Sequence, residues 1–220
     1  CNPYTYVPCL QPRMVAKGSE PKKLGFAQRT MFLAEAKNGY DLSVASLYSY
    51  QSLMLFRIIR QLPFNYRDAR MIMRYLMTGL VIMGIHHPDA QSKHKYLQLQ
   101  PDESRATGDY LKAHYQLSDT EQISYRKREK KSIAAGRQLG LYALARINPG
   151  YGSSIHYAGT LPFSTDEHQP YALSPNGRLH GTKRIYVADS SGFTFLPAKG
   201  LTFSLLANAH LVAENIINER

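Results

Sequence analysis

The N-terminal part of the chain alternates between extended apolar segments and polar turns. Residues 3–15 are rich in tyrosine and valine, and their three prolines predict an extended segment that excludes a helix. After a polar loop over residues 18–23, residues 24–36 and 41–50 have strand-like patterns on either side of Lys37-Asn38-Gly39. Because an Asn-Gly pair between two apolar runs is a strong turn signal, we predict a β-hairpin here.

Helical spacing of the apolar residues begins at residue 52. Over residues 52–62 leucine, methionine, phenylalanine and isoleucine recur at helical intervals with arginines between them, and Pro63 ends the run. A second helix is predicted over residues 66–76, followed by a buried strand over residues 79–85. These apolar runs are too short to cross a membrane. A basic amphipathic helix can lie on a membrane surface, but packing inside a domain is the interpretation that we favour.

The middle of the chain contains a long predicted helix. Ser118 and Glu121 form the pattern of a capping box, in which each side chain bonds the backbone of the other, so the helix is predicted to begin here. It is expected to run to about Arg146, before Asn148-Pro149-Gly150 stops it. Its expected core-facing residues are Ile123, Ile133, Ala134, Leu139, Leu141 and Leu144.

Two further extended segments, residues 95–100 and 110–117, precede this helix. Strands with inserted helices, followed by one long helix, are typical of an α+β domain with a mixed antiparallel sheet. The motif G-x-G-x-x-G does not occur in the sequence. The chain therefore lacks the usual device for seating a dinucleotide pyrophosphate on a helix N-terminus.

The net charge of +11, from 27 lysines and arginines against 16 acidic residues, suits nucleic acid, an anionic membrane surface or an acidic substrate. The densest basic run, residues 126–131, is interpreted as the solvated face of the long helix. Neither zinc-finger spacing nor an RNA-recognition signature accompanies it. A nucleic-acid or membrane-binding module is an alternative that rests on charge alone, and we expect neither partner.

Cys1 and Cys9 are the only cysteines, too few for a disulfide framework, and no histidine cluster makes them metal ligands. We predict no metal site, and the composition fits a reducing compartment such as the cytoplasm. The chain starts on Cys1, without the charged segment and apolar run of a signal peptide, and it opens in what is interpreted as a strand. We expect it to be a fragment of a longer polypeptide, so its start does not indicate whether the protein is exported.

Residues 151–220 carry the candidate chemistry. His156 precedes Tyr157-Ala158-Gly159-Thr160, where small residues let the backbone approach a planar ligand closely, and an imidazole can accept a proton near neutral pH. Residues 184–191 predict a short buried strand that ends in Asp-Ser. Residues 201–217 predict a helix behind a glycine, and the first amides of such a helix can bind an anion or a carbonyl oxygen.

Four motifs in this region come in the order seen in glucose-methanol-choline (GMC) oxidoreductases. They are the H-x-x-G-T loop at residues 156–160, the Gly-Arg-Leu-His-Gly stretch at residues 177–181, the Ile-Tyr-Val-Ala-Asp-Ser strand, and the closing helix with Ala207, Ala209, Glu214 and Ile216. From about Ser153 to its end, the chain resembles the C-terminal part of this flavin-dependent family.

The resemblance implies a fold and a division of the chain. Residues 1–150 would form part of an α+β substrate-binding domain, with a mixed antiparallel sheet and helices. Residues 151–220 would be the returning C-terminal segment of a two-domain FAD-binding α/β fold. In the family the glycine-rich nucleotide fingerprint lies upstream, in an N-terminal half that this chain lacks. The implied partners are FAD, a small-molecule alcohol and that missing half, without which the chain is not expected to be active.

The resemblance also implies roles for individual residues. His156 takes the place of the active-site histidine, which faces the flavin N5 and accepts the hydroxyl proton of an alcohol while hydride passes to the flavin. Asp189 and Ser190 fall where a strand end meets the ribityl and pyrophosphate part of FAD. The backbone at the start of the last helix, which approaches the pyrimidine edge of the isoalloxazine, corresponds to Gly200, Leu201 and Thr202.

The chain departs from the family pattern at Gly200. The family places asparagine or histidine at this position, followed by proline where this chain has Leu201, and the polar side chain helps to orient the substrate oxygen. Lys199, Thr202 or a residue from elsewhere would have to replace it. An alternative is therefore a catalytically impaired flavin-fold protein that acts as a binding or partner subunit.

The remaining histidines are weaker candidates for a role in catalysis. His86 and His87, at the end of a predicted strand, are interpreted as structural residues that could also contribute to a substrate pocket. His180 and His210 are interpreted as packing or surface residues, and His168 as part of an exposed loop.

Overall fold

The computed structural model describes residues 1–17, 27, 29–34, 42–49, 63–154 and 156–218. The predicted loop over residues 18–23, the turn at Lys37-Asn38-Gly39 and the predicted helix over residues 52–62 lie outside them. The strands are β1 (Tyr4–Leu10), β2 (Arg29–Ala34), β3 (Leu42–Ser49), β4 (Leu80–His86), β5 (Asp89–Ala90), β6 (Lys95–Pro101), β7 (Asp109–Tyr115), β8 (Tyr142–Ala143) and β9 (Phe195–Leu196). The α-helices are α1 (Pro12–Lys17), α2 (Tyr66–Leu76), α3 (Asp119–Gln138) and α4 (Thr202–Asn218), with 3-10 turns at Met77–Gly79 and Ser190–Gly192.

Two compact units make up the chain. The first comprises residues 1–3, 87–123 and 151–220, and the second comprises residues 4–86 and 124–150. Residues 87–123 thus group with the C-terminal segment. The division expected at residue 150 is defined by the ligand of each part, a substrate before it and FAD after it. It stays a prediction.

The second unit is built on a five-stranded sheet with the order β2-β3-β4-β1-β8, in which every neighbouring pair is antiparallel. The predicted hairpin strands pair with each other from Arg29 opposite Leu47 to Ala34 opposite Leu42. The strand predicted over residues 79–85 is β4, at the centre of the sheet, and the helix predicted over residues 66–76 is α2. Helices with an antiparallel sheet agree with the predicted α+β class.

Strand β4 is buried on both faces of the sheet, because successive side chains of a strand point to opposite sides. Met83 and Ile85 belong to the cluster Val7, Cys9, Ala45, Leu47, Met83, Ile85 and Leu141. Leu80 and Ile82 pack with Met73 of α2 in a second cluster. A strand covered on both faces has a continuous apolar sequence, as the run Leu-Val-Ile-Met-Gly-Ile shows.

Helix α3 begins as predicted but ends earlier. The Ser118 amide donates to the Glu121 carboxylate at 2.8 Å and the Glu121 amide donates to the Ser118 hydroxyl at 3.3 Å, so the predicted capping box is confirmed. The helix ends at Gln138 rather than near Arg146, because Gly140 adopts a φ of +78°. The amides of Gly140 and Leu141 bond back to the carbonyls of Arg137 and Gly136, as in a Schellman motif.

The residues after this helix end become the edge of the sheet. Tyr142 and Ala143 form β8 on β1, and the Ile147 amide donates to the Tyr6 carbonyl at 2.8 Å. The predicted core positions of the long helix are therefore confirmed at some residues and wrong at others. Leu141 is buried and Ile133 packs against the first cluster, whereas Ile123, Ala134, Leu139 and Leu144 are exposed.

The expectation that residues 3–15 exclude a helix is wrong at its C-terminal end, where α1 begins with Pro12. Proline is tolerated as the first residue of a helix, because the amide hydrogen that it lacks would have no intrahelical acceptor there. The Gln11 side chain accepts from the Arg13 amide at 3.0 Å and caps the helix.

The first unit contains two small sheets and the last helix. Strands β6 and β7 form an antiparallel hairpin, and β5 pairs with β9. These strands confirm the extended segments predicted over residues 95–100 and 110–117. Helix α4 matches the predicted helix within one residue, and Val212 is its buried residue. Gly177, with a φ of +83°, approaches Val212 so closely that a Cβ would lie 2.6 Å from a Val212 methyl group.

The burial of β4 on both faces predicts that replacing its Ile85 destabilises the protein far more than replacing the exposed Ile123. Ile85→Ala should lower the free energy of unfolding by about 2–5 kcal/mol, because Ile85 is fully buried in the first cluster. Ile123→Ala, at an exposed position of α3, should change it by less than ~0.5 kcal/mol. Urea denaturation followed by circular dichroism measures both, and equal losses would contradict this assignment of the core.

Candidate functional site

His156 lies in the first unit on a loop that follows Ser154. Its backbone amide donates to the Ser154 hydroxyl at 3.0 Å, which fixes the start of the loop. The imidazole is half-buried, and this desolvation disfavours its charged form and lowers the pKa of His156 below the ordinary histidine value. Near neutral pH the ring is therefore neutral and able to accept a proton.

The loop after His156 is tied directly to Ser190. The Ser190 hydroxyl donates to the Tyr157 carbonyl at 2.6 Å, and the Gly159 amide donates to the Ser190 carbonyl at 3.2 Å. The structure thus brings together two segments that the sequence nominated separately, the His156 loop and the Asp189–Ser190 pair.

The contact between these segments continues as a short ladder. The amides of Leu161 and Phe163 donate to the carbonyls of Ser191 and Gly192 at 3.0 and 2.9 Å. Glycine allows the close approach: a Cβ at Gly192 would lie 2.6 Å from the Phe163 ring. We call the pairing of residues 159–163 with residues 190–192 the site ladder.

Gly159 is required at the start of the site ladder for two reasons. Its φ of +80° lies in the left-handed region that favours glycine. In addition, a Cβ at this position would lie 3.1 Å from the Phe193 carbonyl oxygen and 3.2 Å from the Gln91 side-chain nitrogen. This backbone position therefore explains the glycine of the H-x-x-G-T motif.

Asp189 is placed differently from the prediction. No strand occurs over residues 184–191, where the structure shows a bridge between Arg178 and Tyr186 and then a 3-10 turn. The Asp189 carboxylate caps that turn by accepting from the Ser191 amide at 2.8 Å. Its carbonyl accepts from the Asn208 side chain of α4 at 3.4 Å. The predicted strand is wrong, and a contact of Asp189 or Ser190 with FAD stays a prediction.

Gly200, Leu201 and Thr202 lie at the start of α4, as predicted. Leu201 is buried and anchors the helix end, and its carbonyl accepts from the Leu205 amide at 2.9 Å. The first amides of the helix have no intrahelical acceptor, and its first turn contains no acidic residue. A partial positive charge is therefore available there.

Gly200 is exposed, and a Cβ at this position would meet no atom within 4 Å. Its backbone is open to a flat group, and the free amides of α4 follow it directly. A contact of this backbone with the edge of an isoalloxazine ring stays a prediction. The open space also shows that packing among the described residues does not require glycine here.

Gln91 is a residue of this site that the sequence did not reveal. Its side-chain amide donates to the Gly159 carbonyl at 3.0 Å, and its backbone amide donates to the Thr194 carbonyl at 3.2 Å. It therefore ties Gly159, at the start of the site ladder, to the backbone at Thr194. No local pattern marks Gln91, because its partners lie far along the chain.

A buried ionic network supports the same unit. The Lys95 ammonium lies 2.5 Å from the Asp89 carboxylate and 2.6 Å from that of Glu121, and the Tyr115 hydroxyl donates to Asp89 at 2.9 Å. Burial by itself would raise the pKa of Glu121. The bonds from Lys95 and Ser118 outweigh burial, so the pKa lies below the ordinary glutamate range.

The other histidines have mainly structural surroundings. In the second unit His86 stacks on Tyr4, with ring centroids 4.2 Å apart. In the first unit His87 is buried, His180 contacts the Ser164 carbonyl at 3.1 Å, and His210 pairs with Glu214 at 3.2 Å. His168 is exposed. A contribution of His86 or His87 to a substrate pocket stays a prediction.

Neither a cluster of metal ligands nor the Cys9 thiol marks a second site in the described part of the chain. No group of three or more histidine, cysteine, aspartate or glutamate residues there could hold a metal ion. Cys9 is buried in the first cluster, and burial raises its pKa to about 11. Its thiol is therefore protonated near neutral pH and unreactive.

Comparison with known protein families gives a match. The family model described as GMC oxidoreductase matches residues 86–209, which is more than half of the chain. The match begins well before Ser153, so it includes the β6–β7 hairpin and α3 as well as the site ladder. No curated protein gives a significant match to this chain.

The buried ionic network predicts that replacing Lys95 destabilises the protein far more than replacing the exposed Lys93. Lys95→Met should lower the free energy of unfolding by about 3–5 kcal/mol, because it removes the buried cation that joins the Asp89 and Glu121 carboxylates. Lys93→Met, two residues earlier and exposed, should change it by less than ~0.5 kcal/mol. The double variant Asp89→Asn/Lys95→Met should recover part of the loss. Urea denaturation measures the free energy of unfolding of all three variants. An unchanged value for Lys95→Met would show that the ionic network does not stabilise the protein.

Proposed function

Since the chain belongs to the GMC oxidoreductase family, we propose that it is the C-terminal part of an FAD-dependent enzyme that oxidises the CH–OH group of an alcohol. The observation that carries this proposal is that His156 is neutral and lies on a fixed loop. Its ring is half-buried with a lowered pKa, and the site ladder holds its loop against Ser190. A neutral imidazole on a fixed loop is suited to accept a hydroxyl proton.

The start of α4 is the proposed contact for FAD. The open backbone at Gly200 and the free amides from Thr202 onward would hold the pyrimidine edge of the ring. When bound, FAD supplies the acceptor for the hydride of the carbinol carbon. His156 takes the hydroxyl proton, directly or through water. The 3-10 turn at Asp189 and Ser190 is the proposed contact for the ribityl and pyrophosphate part.

Helix α4 supports the presence of a further part of the enzyme. One side packs through Val212 against Gly177, but Phe203, Leu206 and Ile217 on the other side are exposed. A helix that is apolar on both sides is normally covered on both. We assign the covering element to the N-terminal half of the flavin-binding fold, which would also provide the nucleotide fingerprint.

A second candidate function rests on Gly200. If the missing polar side chain is not replaced, the protein would bind FAD and act as a catalytically impaired partner subunit. The exposed position of Thr202, the first residue of α4, makes its hydroxyl available as a replacement. The two functions differ in turnover and share the same fold.

Replacement of His156 tests the proposed chemistry. His156→Asn should lower kcat with a panel of primary and secondary alcohols by about 10²- to 10⁴-fold, because the proton acceptor is lost. His168→Asn, in an exposed loop of the same unit, should leave kcat unchanged. In the unsubstituted enzyme kcat/KM should fall as pH drops through the His156 pKa, below the ordinary histidine value of 6.5. An active His156→Asn variant with the same acidic limb would contradict the role of His156.

A side chain introduced at Gly200 separates the two candidate functions. Gly200→Asn adds a polar group at a position where a Cβ meets no atom of the protein within 4 Å, and the FAD content of each variant is measured beside its turnover. For an active enzyme we expect turnover before the substitution and at most about a tenfold change after it, worth roughly one hydrogen bond. For an impaired subunit, turnover should appear only in Gly200→Asn. Gly200→Ala is the control, because it adds a Cβ without a polar group.

A further inference from the structure

Helix α2 of the second unit exposes a face that combines cations with large apolar side chains. Ala69 and Met73 turn inward, and Met73 packs on Leu80 and Ile82. The opposite side carries Arg67, Arg70, Met71, Arg74 and Tyr75, which we call the α2 face. Met71 is 57% exposed and Tyr75 is 73% exposed.

The α2 face is strongly positive. Its three arginines make no ion pair within the part of the chain that the structure describes. The single acidic residue of the helix, Asp68, is held at the helix start. Its amide donates to the Asn65 side-chain oxygen at 2.9 Å, and the Asn65 amide group donates to its carboxylate at 2.6 Å. The arginines are therefore available to an anionic partner.

The exposed apolar side chains distinguish between two kinds of anionic partner, a nucleic acid and a phospholipid surface. Phe64 and Tyr66, which precede the face along the chain, are also exposed, at 54% and 59%. A nucleic-acid duplex would use the arginines for phosphate contacts but would leave methionine and phenylalanine in water. A phospholipid surface uses both, because it offers phosphates beside an apolar layer.

We propose that the α2 face docks the protein on the surface of an anionic phospholipid bilayer. The sequence alone favoured packing of this region inside a domain, and the burial of Ala69 and Met73 agrees with that interpretation. The proposal concerns the opposite, exposed side of the helix. No helix within the described residues is long and apolar enough to cross a membrane. The proposal does not depend on the flavin chemistry.

The geometry of α2 suits this contact. Its eleven residues form a rod about 16 Å long that can lie parallel to the bilayer surface. Arg67, Arg70 and Arg74 would reach lipid phosphates, for which the guanidinium fork is well shaped. Met71 and Tyr75 would enter the boundary between headgroups and acyl chains.

Sedimentation with vesicles tests the proposal on the full-length protein. Binding should be strong to phosphatidylcholine mixed with phosphatidylserine and weak to phosphatidylcholine alone. Arg70→Gln/Arg74→Gln should weaken binding to the mixed vesicles about 30-fold, since each cation near an anionic bilayer contributes roughly 5-fold. The matched control is Arg126→Gln/Lys130→Gln, which removes two exposed charges at the same i, i+4 spacing on α3 and should leave binding unchanged.

Two further variants test whether binding follows the charge of the α2 face and whether it also needs the apolar side chains of a folded helix. Arg70→Lys/Arg74→Lys keeps the charges and should retain most of the binding. Met71→Ser/Tyr75→Ser should weaken binding while circular dichroism shows the helix intact. Equal losses in the α2 and α3 charge pairs would overturn the proposal, as would an unchanged Met71→Ser/Tyr75→Ser variant. Salt-sensitive binding to duplex DNA through these arginines, without binding to either vesicle, would assign the face to nucleic acid instead.

Discussion

The site ladder is the constraint on which the candidate active site depends. Residues 159–163 bond residues 190–192 through backbone groups, and the hydroxyl of Ser190 reaches back to the Tyr157 carbonyl. This pairing fixes the loop that carries His156 to the turn that precedes α4. Glycines at 159 and 192 make it possible, since a Cβ at either position would come too close to its neighbours.

Electrostatics reinforces this arrangement in two places. Desolvation keeps the His156 ring neutral, which suits a proton acceptor, while the amides at the start of α4 offer partial positive charge without a nearby acidic residue in that turn. Away from the site, Lys95 joins the carboxylates of Asp89 and Glu121, so the strand that pairs with β9 is tied to the start of α3. The site thus sits on a unit whose buried charges are paired.

Local patterns in the sequence predicted much of this structure. The hairpin strands, β4, α2, the capping box at Ser118 and the final helix all follow from periodicity and capping, which act over a few residues. The family match over residues 86–209 confirms the resemblance that four ordered motifs suggested. His156 and Ser190 were nominated from the same motifs, and their connection through Tyr157 is visible only in the structure.

The remaining features depend on contacts that a local pattern does not contain. The end of α3 was placed too late because Asn148-Pro149-Gly150 looked like the stop, whereas Gly140 turns the chain so that Tyr142 pairs with Leu10. The strand predicted up to Asp189 was wrong because residues 185–187 bond residues 177–179 only around an isolated bridge, and the chain then enters the 3-10 turn at Ser190. Gln91 escaped notice because its partner, Gly159, is 68 residues away.

We propose that this chain belongs to an enzyme in which an alcohol reduces bound FAD. The most direct measurement mixes the full-length protein, loaded with FAD, with primary and secondary alcohols in the absence of oxygen and follows the visible flavin absorbance. The account predicts that at least one class of alcohol bleaches the yellow colour. A protein that binds FAD and stays yellow with every alcohol would contradict it.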